Sequence, residues 1–102
     1  MTAAADNAGK NMRLAGTLDL KAAGPLHQDL KALRGADLVV DADEVRRLGG
    51  LCLQVLLAAR AAWAEDGRTF EFAGPSPAFV ETATLMGAAD LLGVKNLQEP
   101  AQ

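Results

Sequence analysis

Apolar and polar residues alternate along Met12–Leu20, with Met12, Leu14, Leu18 and Leu20 in phase and Gly16 between them. A period of two predicts a strand, bent or bulged at the glycine. From Lys21 to Arg34 the period lengthens. Leu26, Leu30 and Leu33 fall at helical spacing, and Gly35 stands where a C-terminal cap belongs. Pro25 is tolerated only in a first turn, so the helix is expected to start between Ala22 and Gly24. Asp37–Ala42 holds Leu38, Val39 and Val40, a short run between turn signals that predicts a buried strand. Asp43–Leu48 is a charged connector. Gly49-Gly50 then opens the longest periodic stretch, Leu51–Asp66, which Gly67 ends. Thr69–Ala73 alternates again, with Phe70 and Phe72 on one face. After the turn at Gly74-Pro75, Ser76 as N-cap and Pro77 as first helical residue predict a helix to about Met86, stopped by Gly87. Asp90–Val94 reads either as a short helix or as an apolar clamp.

Strands that alternate with helices imply parallel pairing through right-handed crossovers. The fold class expected is α/β: one domain over residues 12–93, with a mixed four- to five-stranded sheet, parallel βαβ crossovers and three to four helices. Residues 1–11 are small and polar and are expected to be a flexible N-terminal tail; residues 94–102 are expected to be a polar C-terminal tail.

Composition narrows the function. The chain has 102 residues, half of them hydrophobic, and a net charge of −3. An acidic balance argues against nucleic-acid binding, which needs basic surface to neutralise phosphates. One cysteine, Cys52, and one histidine, His27, leave no internal disulfide, no cysteine-based metal cluster and no His-rich site. No cofactor or metal is expected. Residues 1–10 contain no apolar run beyond alanine, so no signal peptide is read there. Leu51–Ala64, interrupted by Gln54 and Arg60, is too short and polar to insert in a membrane. The expected location is the cytoplasm. No nucleophile with a base and no paired acids on one predicted face stand out, so no enzymatic activity is expected.

Two segments carry more than a generic α/β pattern. One is Leu14-Ala-Gly-Thr-Leu18-Asp19 with the helix after it. The other is Leu38-Val-Val-Asp41, a connector, and Gly49-Gly50-Leu51 leading into the long helix. This ordered set resembles the STAS domain, the fold of anti-sigma-factor antagonists and of sulfate-transporter tails, over about residues 12–93. The resemblance implies a regulatory domain that binds a partner at the start of the second long helix. Phosphorylatable members carry a serine or threonine there; here that place is Gly50, and no Ser or Thr occurs between Thr17 and Thr69. The usual switch, in which phosphate adds roughly −1.5 to −2 charge at an interface, therefore has no acceptor. The non-phosphorylatable chain looks closest to the short STAS proteins of bacterial chemotaxis gene clusters. The STAS subunit of lipid-trafficking ABC transporters and a nucleotide- or lipid-sensing STAS domain are the alternatives.

The partner-binding candidates are Asp19, Asp43, Arg46, Arg47, Gly49, Gly50, Leu53, Gln54 and Leu57. Gly49-Gly50 permits close backbone approach at a helix N-terminus, or is simply a flexible turn. Asp19 also serves as a cap for the first helix. Asp43, Glu44, Arg46 and Arg47 either meet a charged partner or form a solvated connector. At ~100° per residue, Cys52, Val55, Leu56, Ala59, Ala62 and Trp63 share the face expected on the sheet. Leu53, Leu57 and Ala64 lie to one side, as a docking patch or under flanking helices. Gln54 and Arg60 are expected to reach solvent. Ser76 is read as a cap and Cys52 as a buried thiol. The expected partner is a regulatory protein: a kinase-like anti-sigma factor, a chemotaxis component or an ATPase subunit. A sheet edge could also support a homodimer.

Overall fold

A computed structural model of the chain describes residues 9–94. Its elements run in the expected alternation. They are β1 (Lys10–Arg13), β2 (Thr17–Leu18), α1 (Leu20–Ala32), β3 (Leu38–Asp41) and β4 (Arg47–Leu48), then α2 (Gly50–Glu65), β5 (Phe70–Ala73), α3 (Pro77–Leu85) and α4 (Ala89–Leu92). β1, β3 and β5 form one sheet in that order; β2 and β4 form a second, two-stranded piece. Among the described residues the fold is α/β with five strands and four helices. Every pair among the described residues is parallel, where a mixed sheet was expected.

The predicted bend at Gly16 divides the first strand into β1 and β2. Lys10 faces Leu38 but Thr17 faces Arg47, so the second chain segment carries two more residues across the bend. The surplus loops out at Asp43 and Glu44, and both Arg46 N–H (2.7 Å) and Arg47 N–H (3.1 Å) donate to the Gly16 carbonyl. The charged connector therefore ends in a strand, β4, which its polar sequence concealed.

Several boundaries shift for physical reasons. α1 starts at Leu20, because the Asp19 carboxylate accepts the Ala22 N–H at 3.1 Å. Pro25 consequently sits in the second turn, not the first, and offers no N–H to the Lys21 carbonyl. Gly24, just before it, carries no Cβ to meet the proline ring. β1 takes in Lys10 and Asn11, which were expected in the N-terminal tail. At the other end Val94, expected in the polar tail, is fully buried. Residues 1–8 and 95–102, the rest of both expected tails, lie outside the described residues. Asp90–Val94 turns out to combine both readings: α4 is one short helix whose Leu92 is buried, and Val94, just after it, is buried too.

The helices cover the sheet face that holds Leu38, Val40, Phe70 and Phe72. Val39 and Glu71 point the other way and are exposed, so β3 is half-buried where a buried strand was expected. Core packing runs along one row of rings. Trp63 meets Phe70 edge-on at 5.4 Å, Phe70 meets Phe72 edge-on at 5.6 Å, and Phe72 meets Phe79 at 5.2 Å. Trp63 donates its indole N–H to the Ala36 carbonyl at 2.7 Å, which satisfies the one polar atom that this large side chain brings inside. These contacts fix α2 and α3 on β5 and so set where their N-termini emerge.

Candidate functional site

In parallel crossovers the strands end, and the helices begin, on one edge of the sheet. Here that edge gathers three helix starts. Asp19 caps α1. Ser76 caps α3: its hydroxyl accepts the Phe79 N–H at 3.1 Å and donates to the Val45 carbonyl in the connector. Gly49 is the cap of α2 and has no side chain to offer. Asp19 and Gly49 are neighbours because β2 and β4 pair side by side, Leu18 against Leu48. The Gly49 N–H donates to the Leu18 carbonyl at 2.8 Å, and the Cys52 thiol donates to the Asp19 carbonyl at 3.3 Å. Cys52 is buried, and burial pushes its pKa up, so it stays a neutral thiol that ties two helix starts together.

The two glycines differ. A Cβ on Gly49 would stand 3.1 Å from the Leu18 carbonyl oxygen, so a side chain there would press on the β2 backbone and glycine is favoured. A Cβ on Gly50 would meet only the Met86 methyl group, at 3.8 Å. Gly50 is exposed and has room for a larger side chain.

Large apolar side chains are exposed at the helix ends about this edge. Leu20 follows Asp19 and is 75% exposed; Leu51 follows Gly50 and is 48% exposed. Leu85 and Met86, at the end of α3, are 81% and 50% exposed, and Met86 reaches Gly50. Met86 and Leu51 thus border the α2 start with exposed apolar side chains, and Leu20 follows the neighbouring α1 cap; exposed apolar groups of this kind mark protein interaction sites. None of the four is among the sequence-derived candidates. Each falls at a helix end, where periodicity alone does not say whether a side chain is buried, and Leu20, which alternation placed in a strand, opens α1 instead.

The remaining candidates distribute unevenly. Arg46 and Arg47 are exposed beside Gly16, and the Arg46 guanidinium covers that glycine, 3.2 Å from where its Cβ would be. Asp43 is exposed but engaged. Its N–H donates to the Asp41 carboxylate at 3.0 Å, which lowers the Asp41 pKa, while the hydrogen bond between the two carboxyl groups raises that of Asp43. Arg13 bridges Asp41 (3.2 Å) and Glu44 (3.3 Å). Gln54 is exposed one turn into α2, as expected. Leu53 is not available for docking: it is 4% exposed and belongs to the core, because α1 and α4 flank α2 and widen its buried face. Leu57 is half-buried on the side of β5 and α4. Arg60, expected in solvent, is half-buried; it donates to the Leu91 carbonyl and lies against Gly93, closing the end of α4.

Among the described residues no group of three His, Cys, Asp or Glu side chains is placed to hold a metal ion. No helix among them is long and apolar enough to cross a membrane. A family model described as "Mlab, STAS domain" matches residues 1–93. No curated protein matches the chain.

Proposed function

Because the chain belongs to the STAS domain family, we propose that it acts as a non-catalytic protein–protein interaction module of bacterial signalling, binding its partner at the start of α2. A regulatory, partner-binding role is what the family points to in general. The particular reading is a constitutive contact without a phosphorylation switch, made in the cytoplasm with a kinase-like regulator, a chemotaxis component or an ATPase subunit.

One observation carries this reading: the open Gly50 position has the exposed Met86 methyl group and the exposed Leu51 beside it, with Leu20 and Leu85 also exposed at the ends of the adjoining helices. Burying such side chains against a partner is the dominant favourable term in association. Asp19, Arg46, Arg47 and Gln54 supply polar rim groups, which contribute orientation more than affinity. By the resemblance, Gly50 stands where phosphorylatable members carry an acceptor hydroxyl, so the contact is constitutive or governed by abundance, by a ligand or by the partner's own state.

Gly50→Glu tests the reading cleanly. The position has room, and a carboxylate in the first turn of a helix favours folding. In an affinity pull-down from the native lysate, wild type should retain a specific regulatory protein that the folded variant loses. Equal retention by a variant with unchanged melting would remove the α2 start from the interface.

A further inference from the structure

β5 is the outer strand of its sheet among the described residues. The Leu38 N–H donates to the Thr69 carbonyl (2.9 Å) and the Ala42 N–H to the Ala73 carbonyl. In a parallel ladder this directs Thr69, Glu71 and Ala73 toward β3 and turns the backbone N–H and C=O of Phe70 and Phe72 outward. Beside that edge runs a groove of about 520 Å³ between α2, β5 and α4. Leu57, Ala61 and Leu91 form its apolar wall. Arg60 and Arg68 line it against a single acid, Glu71, so the groove is cationic on a chain whose net charge is −3. The opposite edge strand, β1, carries Lys10 and Arg13, charges of the kind that blunt an edge against pairing.

We propose that β5 accepts an extended segment of a second partner protein, one that carries aliphatic and acidic side chains. Strand addition pairs the outward groups of Phe70 and Phe72, the aliphatic side chains cover Leu57, Ala61 and Leu91, and the acids meet Arg60 and Arg68. Two other occupants fit less well. Residues 95–102, Lys-Asn-Leu-Gln-Glu-Pro-Ala-Gln, are poor strand formers with one leucine and a proline. A second copy paired antiparallel about Glu71 would set two like charges directly opposite each other. The groove lies at the C-terminal half of α2: Leu57 is seven residues from Gly50, about 10 Å along the helix axis. The groove is therefore a separate surface from the α2 start, and a substitution at Gly50 leaves its lining unchanged.

The test is a nitrogen-15 NMR titration of the full chain at low concentration with the blocked peptide acetyl-Glu-Val-Leu-Val-Glu-amide. The Phe70 and Phe72 amides should shift and their hydrogen exchange should slow about tenfold at saturation. Arg68→Glu should weaken binding about fivefold, a lysine-for-glutamate peptide should not bind, and Gly50→Glu should bind as wild type. No shift at those amides, or equal binding of the lysine peptide, overturns the proposal. So does exchange already slow in the isolated chain: if it quickens on ending the chain at Val94, residues 95–102 cover the edge, and if it follows protein concentration, a second copy does.

Discussion

Substituting alanine at Gly49 and at Gly50 should have opposite effects, although the two glycines are adjacent. At Gly49 the new Cβ would lie 3.1 Å from the Leu18 carbonyl oxygen, the same atom that accepts the Gly49 N–H at 2.8 Å. That oxygen belongs to β2, which pairs with β4, so it cannot retreat without loosening the strand pair. The hydrogen bond is worth about 0.5–1.5 kcal/mol net, and displaced backbone adds strain, so Gly49→Ala should cost about 1–2 kcal/mol. At Gly50 the Cβ meets one methyl group at 3.8 Å, an ordinary contact, and alanine is the better helix former. Gly50→Ala should therefore be neutral or stabilising by about 0.5 kcal/mol. For a domain of this size each kcal/mol moves Tm by about 4–8 °C. Thermal melts followed by circular dichroism should place the Gly49 variant clearly below wild type and the Gly50 variant at or above it. A Gly49→Ala protein that melts with wild type would refute the argument from close approach. A Gly50→Ala protein that falls as far as Gly49→Ala would refute the claim that the position is open.

Ser76→Ala should cost about 2–3 kcal/mol in urea unfolding, because it removes the α3 cap and leaves the Val45 carbonyl without its donor; a cost below about 0.5 kcal/mol would mean that water replaces both bonds. Arg34 grips Asp66 through two hydrogen bonds, of 2.8 and 3.1 Å, and holds its carboxyl below the ordinary value. A depressed acid contributes stability that is complete above its unfolded pKa, near 3.9, and is lost as pH falls through the folded value. Asp66→Asn should therefore lower the urea midpoint at pH 7 and converge on wild type as pH falls below the depressed folded value; a pH-independent difference would point to packing instead. Asp43 shifts the other way, so Asp43→Asn should leave the midpoint at pH 7 unchanged or raised, and a clear loss there would count against the hydrogen bond shared with Asp41.

Local chemistry was legible in the residues themselves. Ser76-Pro77 announced a capped helix, Phe70 and Phe72 a strand with one buried face, and the absence of Ser or Thr around Gly50 was plain from the sequence. These features depend on neighbours in the chain, where period and capping act over a few residues. Gly16 as a bend was equally local, but β4 was not. Arg47 and Leu48 become a strand only because β2 lies beside them and the Gly16 carbonyl receives their chain.

The candidate site divides along the same line. Gly49, Gly50 and Asp19 could be singled out by type and position, as could the exposed Gln54. Whether Leu53 faced solvent could not, because its burial is set by α1 and α4 flanking α2. Arg60 turned inward for the same reason, since the carbonyl it binds belongs to a helix thirty-one residues further on. The exposed Leu20, Leu51, Leu85 and Met86 come from the ends of three helices, and none of them was singled out as a site residue from its own segment. Sequence alone determined which helices form and how most of them are capped, because those energies are local. Only the tertiary structure decided which side chains lie together at the α2 start, because the surface depends on how β2 and β4 align two helices and on where α3 ends against them.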